Sequence, residues 1–199
     1  MHGVVVGVAG GLGVVLLGTS IVGARRPTIP RAEQRAFRAI NSLPDQLYWP
    51  LWVPMQLGNL VVGLLVGLAA ALAWHDLGLA VAVCAAVALK VVAERLVRRW
   101  LTPQLPARQR PGTSEPGARL RGDVPSTGPS LPSGHVILVA AVGTVVAAGS
   151  PATLAWAPLV VMLVVGLGRV YVGAHNPLDV MAGLGIGLIV GALLSIPLR

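Results

Sequence analysis

Pro132-Ser133-Gly134-His135 and, further along, Arg169-Val-Tyr-Val-Gly-Ala-His175-Asn-Pro-Leu-Asp179 bring two imidazoles, a guanidinium, a hydroxyl and a carboxylate into a chain otherwise dominated by Leu, Val, Ala and Gly. Ionisable groups set beside apolar spans are costly to keep unless they act. A neutral imidazole can attack phosphorus, and a protonated one can hand a proton to the departing oxygen. Guanidinium groups offer forked donors to phosphate oxygens, and stabilising charge on the equatorial oxygens is the main task of phosphoryl transfer. His175 and Asp179 lie about one helical turn apart, close enough for the carboxylate to hold the imidazole tautomer. The chemistry that suits this inventory is phosphate handling.

The elements that must position these groups are membrane spans. The chain has 199 residues, 55% of them hydrophobic and 11% charged, where a soluble domain would carry about 25% charge; its mean hydropathy is +0.78. Runs of about 20 apolar residues cross a hydrocarbon layer of about 30 Å. Six such runs are legible, at residues 3–22, 57–74, 77–97, 135–148, 155–171 and 178–196, the fourth being short. The expectation is an all-α membrane protein: one domain over residues 1–199, with six transmembrane helices in a bundle. Residues 31–43 place Ala32, Ala36, Phe37 and Ile40 at helical spacing against Arg31, Glu33, Arg35 and Arg38, which predicts an interfacial helix after the first span. Tyr48, Trp49 and Trp52 mark the headgroup level. His75-Asp76 and Gly149-Ser-Pro151 are tight turns, and residues 101–131 form a long, proline-punctuated polar loop. Glycines recurring at fours (Gly3, Gly7, Gly11; Gly63, Gly67; Gly183, Gly187, Gly191) predict close helix packing. Cys84, the single cysteine, is expected to be a buried thiol.

Counting spans tests the site independently of any motif. The loops after spans one, three and five share one side of the membrane, so Arg98, Arg99, Arg108, Arg110, Ser133, His135, Arg169 and His175 all fall on one face. The other face holds little beyond His2, His75, Asp76 and Arg199. Ser133 reads as an N-cap that leaves the Gly134 and His135 amides unpaired. Asn176-Pro177, with Asp179 in the first turn, is a second helix start. Two helix N-termini aimed at one pocket make an anion site. The net charge of +8 lacks the aromatic-interleaved basic surface of a nucleic-acid binder; an anionic lipid surface and an anionic substrate account for it. The face offers Asp179 and Asp123 as its carboxylates, too few for a metal centre, and no cofactor is expected.

These motifs resemble those of the type 2 phosphatidic acid phosphatase superfamily, membrane lipid phosphatases that share an all-helical core with vanadium haloperoxidases. The resemblance runs from about residue 55 to the C-terminus. Pro-Ser-Gly-His is matched in full at Pro132 to His135, and the third motif at Arg169, His175 and Asp179, with Gly168 where the family has serine. The first motif matches at Arg110-Pro111, but the position of its lysine holds Pro103. Arg98 is favoured as the replacement cation. Lys90 is the alternative, more simply paired with Glu94 in an i, i+4 ladder that continues to Arg98. The resemblance implies His175 as a nucleophile forming a phosphohistidine, Asp179 as its orienter and His135 as general acid. It implies Arg110, Arg169, Ser133 and the Gly134 amide as phosphate ligands, with no metal.

The function expected is hydrolysis of a phosphomonoester or pyrophosphate on a lipid of polyprenyl or phosphatidyl type. Non-catalytic binding or transport of anionic lipid, and phosphoryl transfer to another acceptor, are the alternatives. The expected setting is the inner cell membrane. Arginine counts place the site side in the cytoplasm, whereas family members that recycle carrier lipids face outward.

Overall fold

Short polar side chains start the helices of this protein, and glycines set how closely they pack. The computed structural model describes residues 2–198; Arg199, expected on the face away from the site, lies outside them. The elements run α1 (His2–Ala24), α2 (Arg31–Asn41), α3 (Tyr48–Met55), α4 (Leu60–Ala73), α5 (Leu77–Leu96), α6 (Pro111–Ser114), α7 (Gly134–Gly149), α8 (Ala157–Tyr171) and α9 (Pro177–Ser195). Among the described residues the only β pairing is an isolated bridge between Gln109 and Pro129. Asn59 caps α4 through the Val61 amide at 3.0 Å, and Asp76 caps α5 through the Leu79 amide at 2.9 Å. Asn176 and Asp179 form a capping box on α9, with Pro177 in the first turn. Of these starts, the sequence pattern places the one at Asn176-Pro177 and gives Asp76 only as part of a tight turn.

An apolar helix lies at each of the six expected runs, but their lengths differ and not all are long enough to span. α1, α9 and the continuous run Leu77–Gln104 are each long and apolar enough to cross a membrane. α4 reaches that length only with the preceding segment Asp45–Gly58, from which it is bent by 78°. α7 and α8 have 16 and 15 residues; at 1.5 Å per residue α7 is about 24 Å long, short of a hydrocarbon layer of about 30 Å. That shortness fits its place. α7 is the central helix, with Val136, Ile137, Leu138, Ala140, Ala141 and Val145 all buried and neighbours on every side. Its N-terminus therefore opens inside the bundle, which sets His135 in a recess.

α9 packs between α7 and α1. A Cβ at Gly187 would lie 2.5 Å from the Ala140 Cβ, and one at Gly191 would lie 2.5 Å from the Thr144 Cβ. On its other face, one at Gly185 would meet the Leu17 amide at 2.7 Å. These glycines let backbones approach, as expected, but Gly3, Gly7 and Gly11 face open space, with no described residue within 4 Å of where a Cβ would lie. Cys84 is exposed on the outer surface of α5 rather than buried, because Ala82, Val83 and Ala86 occupy that helix's inward face. The outer surface carries an exposed apolar belt including Val4, Leu65, Leu77, Leu163 and Leu193. A belt of this extent suits acyl chains rather than water.

The polar loop is tied down over one end of the bundle. Arg121, a charge of the polar loop, donates to the carbonyls of Asn41, Tyr171 and Leu43 at 2.8–3.0 Å, pairs with Asp45 and lies over the Tyr171 ring. Asn41, the last residue of the interfacial helix, bonds both Tyr171 and Arg119. α2, the loop and the end of α8 thus form one connected cap.

Candidate active site

The mouth of the bundle beneath that cap holds a cavity of about 700 Å³. Each of its polar walls comes from a helix end. α7 contributes Gly134 and His135 from its first turn, and α8 contributes Arg169 from its last. His175 comes from the link into α9, Arg110 from the loop just before α6, and Lys90, Glu94 and Arg98 from the end of α5 and the wider turn after it. Residues separated by up to 85 positions meet here. Both imidazoles open onto one cavity, and His135 is close enough to act electrostatically on His175.

His175 is 3% exposed. Burial, then the positive charges of Arg169 and Arg110, push its pKa well below the ordinary histidine value. A backbone contact with Ser130 works in the opposite direction without reversing the shift. The ring is therefore neutral near pH 7, as a nucleophile must be. Its Nδ1 is buried without a hydrogen-bond partner. His135 is seated on glycine: a Cβ at Gly58 would lie 2.7 Å from its Cβ and 2.8 Å from its Cδ2. The break between α3 and α4 thus brings bare backbone against the imidazole and sets its position.

The cationic lining is denser than the motifs alone implied. Arg110 donates to the Ala174 carbonyl at 2.9 Å, beside His175. Burial and then the nearby Arg98 lower its pKa from the usual arginine value, and Asp179 opposes the shift without reversing it. The Nε of Arg169 is buried and unpartnered, and so is the Ser133 Oγ. Ser133 stands at the N-cap of α7 but makes no capping bond, while its amide donates to the Asp179 carbonyl at 3.0 Å. It is fully buried behind the cavity wall rather than on it. Lys90 and Arg98 both line the cavity. Lys90 Nζ is 2.7 Å from one Glu94 oxygen and Arg98 is 3.1 Å from the other, so the whole ladder faces the cavity. Arg98 also reaches the Pro132 carbonyl at 3.3 Å. Glu94 sits against Gly134, where a Cβ would fall 2.7 Å from its Oε2.

Asp179 departs from expectation. Its carboxylate accepts from the Arg108 Nε at 3.1 Å, from the Ser130 hydroxyl, and from the Asn176 amide at 2.9 Å, with no hydrogen bond to the His175 ring. The capping box is the reason. A side chain at the third position of a helix that reaches back to the N-cap amide points at the backbone of the residue after His175, not at its ring. Asp179 thus acts on the peptide that carries the imidazole.

Sequence reasoning put Arg108 on the site face but gave no site role to it, to Glu33 or to Ser130. Arg108 bridges Asp179 and Glu33, and Glu33 also accepts from the Leu178 amide at 3.0 Å. Burial opposes the Arg108 charge, but Asp179 and Glu33 more than offset this and hold its pKa above the ordinary value. For Glu33 a signal was present: it shares the i, i+4, i+7 face of Phe37 and Ile40. Ser130 carried no comparable signal.

Gly168 has a local cause as well. A Cβ there would lie 2.8 Å from both the Cγ and Sδ of Met55, so α3 fills the space where the family serine would stand.

The family model that matches the chain is the PAP2 superfamily, over residues 71–196. No curated protein matches. Two solved structures share the fold. Aquifex aeolicus LpxE superposes with a TM-score of 0.68 at 21% identity, covering 81% of this chain and 93% of its own. The first transmembrane PAP2 type phosphatidylglycerolphosphate phosphatase from Bacillus subtilis superposes with a TM-score of 0.63 at 21% identity, covering 92% and 93%.

Proposed function

Because the chain belongs to the PAP2 superfamily, we propose that this multi-pass membrane protein is a lipid phosphatase that removes a phosphoryl group from a lipid phosphomonoester or diphosphate through a phosphohistidine at His175. The observation that carries the reading is the single recess in which a neutral His175, a second imidazole at His135, and Arg110 and Arg169 converge. The name of one structural neighbour, a phosphatidylglycerolphosphate phosphatase, supports a lipid phosphate as substrate.

In this scheme Arg110, Arg169, Arg98 and the Gly134 amide grip the phosphate, and Lys90 adds charge to the wall. The Nε2 of His175 attacks phosphorus, since Nδ1 is sealed in the protein. The N–P bond forms as the P–O bond to the lipid breaks, and His135 gives its proton to the leaving oxygen. Water then attacks the phosphohistidine while His135 takes back a proton, and phosphate leaves with His175 restored. The arginines stabilise the equatorial oxygens in both steps. No metal and no cofactor take part, and the setting is the inner cell membrane.

The test is phosphate release from phosphatidyl and polyprenyl phosphates and diphosphates in detergent with a chelator present. Wild type is expected to release phosphate and His175→Ala to release none; equal activity would refute the reading. Lipid binding that survives His175→Ala without any phosphate release would point to a non-catalytic lipid carrier. Transfer of the phosphoryl group to an acceptor other than water would show in the products.

A further inference from the structure

Glu33, Arg108 and Asp179 form a continuous buried ion triad. The Glu33–Arg108 and Arg108–Asp179 pairs have side chains that are 5% exposed or less. Glu33 belongs to the interfacial helix α2, Arg108 to the loop and Asp179 to α9, so three elements distant in sequence meet at one guanidinium. Arg is suited to this place because its planar fork can serve two carboxylates at once.

The bonds around the triad bracket His175. Arg110, two residues from Arg108, holds the Ala174 carbonyl on one side of the imidazole. Asp179, held by Arg108, takes the Asn176 amide on the other. The intervening Gln109 carbonyl accepts from the Asn176 side chain at 3.3 Å, and the Arg108 carbonyl accepts from the Ser130 amide at 2.9 Å. Glu33 adds a direct hold on α9 through the Leu178 amide. The outer face of α2 is different: Arg31, Arg35 and Arg38 point outward and take no part in this network. Phe37 and Ile40 pack the same helix against α8 and α9, and among the described residues Glu33 is the side chain of α2 whose polar bonds reach α9.

Resting on the proposed phosphatase reading, we infer that Glu33 is a positioning residue, which acts through Arg108 and Asp179 to hold the His175 main chain in line with the bound phosphate. It touches no reacting atom. Its loss therefore acts on the chemical step rather than on substrate binding.

The experiment compares Glu33→Gln, Glu33→Ala and the outer-face control Arg35→Gln with wild type in detergent. It measures kcat and KM for phosphate release, thermal unfolding, and amide hydrogen exchange over residues 175–182. Misplacing a reacting group by about 1 Å can cost about 100-fold in rate. Glu33→Gln keeps the shape and is expected to lose about tenfold in kcat, and Glu33→Ala about 100-fold, each with KM within about twofold and with exchange at Leu178 accelerated. Arg35→Gln should match wild type. If Glu33→Gln does not fold, Arg108→Lys keeps the charge without the fork and should reproduce the kcat loss. Unchanged kcat in Glu33→Ala, a rise in KM alone, or activity lost only in step with folded protein would each overturn the inference. If wild type releases no phosphate the phosphatase reading fails, but exchange at Leu178 still reports whether Glu33 secures α9.

Discussion

Restoring the family serine at position 168 should damage this protein, and truncating Met55 should repair it. A Cβ at Gly168 would lie 2.8 Å from the Met55 Cγ and Sδ, where comfortable contacts are about 3.5–4.0 Å, so Met55 must retreat by about 1 Å. It has little room, being 4% exposed and packed with Tyr171, Val172 and Ala174. Overpacking of this kind costs about 1–3 kcal/mol, and the strain falls on the segment whose Ala174 carbonyl anchors Arg110. Met55→Ala alone should cost about 2–5 kcal/mol as a cavity. In the double variant the serine enters the space the methionine left, so the two losses should fall short of their sum by about 1–3 kcal/mol. For a chain of this size that coupling is about 2–12 °C in Tm. The assay is a double-mutant cycle read by thermal unfolding in detergent, with phosphate release measured in parallel. Losses that add to within about 0.5 kcal/mol would refute the claim that Met55 is what excludes the serine.

Other perturbations probe the rest of the site. Gly58→Ala drives a methyl into the His135 ring and should lower kcat by about 100-fold with KM within about threefold; kcat within twofold of wild type would show that this backing does not position the imidazole. His175 has a folded pKa depressed by burial, Arg169 and Arg110, whereas the unfolded chain takes up a proton near pH 6.5. Its contribution to stability is complete above that pH and is lost as pH falls below it, by at most about 1.4 kcal/mol per unit, until the folded pKa is reached. Tm measured from pH 7.5 to 5.0 should therefore fall more steeply for wild type than for His175→Gln, and parallel slopes would contradict the shift. For sidedness, Thr127→Cys in a Cys84→Ser background should react in intact cells only with a membrane-permeant maleimide, as Arg25, Arg26, Arg31, Arg35 and Arg38 imply; reaction with an impermeant reagent would place the site outside.

The scaffold was largely legible because its signals are local. Apolar runs gave the helices, Asn176-Pro177 the start of the last one, and span counting alone brought His135, Arg169 and His175 to one end. What was hidden depends on direction rather than position. The one-turn spacing of His175 and Asp179 suggested a direct bond, but a capping box turns that carboxylate toward the backbone. Glu33 looked like one charge on an interfacial helix until its inward face could be matched with Arg108, 75 residues away. Met55 against Gly168 and Gly58 against His135 are contacts between helices, and no pattern within a single stretch of chain encodes them. Arg121 read as a loop charge because its carbonyl partners come from two distant segments, residues 41–43 and the end of α8.

The most direct measurement of the central claim is a rapid quench of wild type turning over a lipid phosphate labelled on phosphorus, followed by peptide mapping. The label is expected on the peptide containing His175 as a phosphohistidine, with none in His175→Ala and a larger trapped fraction in a variant that hydrolyses the intermediate slowly. Label on another residue, or undiminished turnover in His175→Ala, would contradict the account.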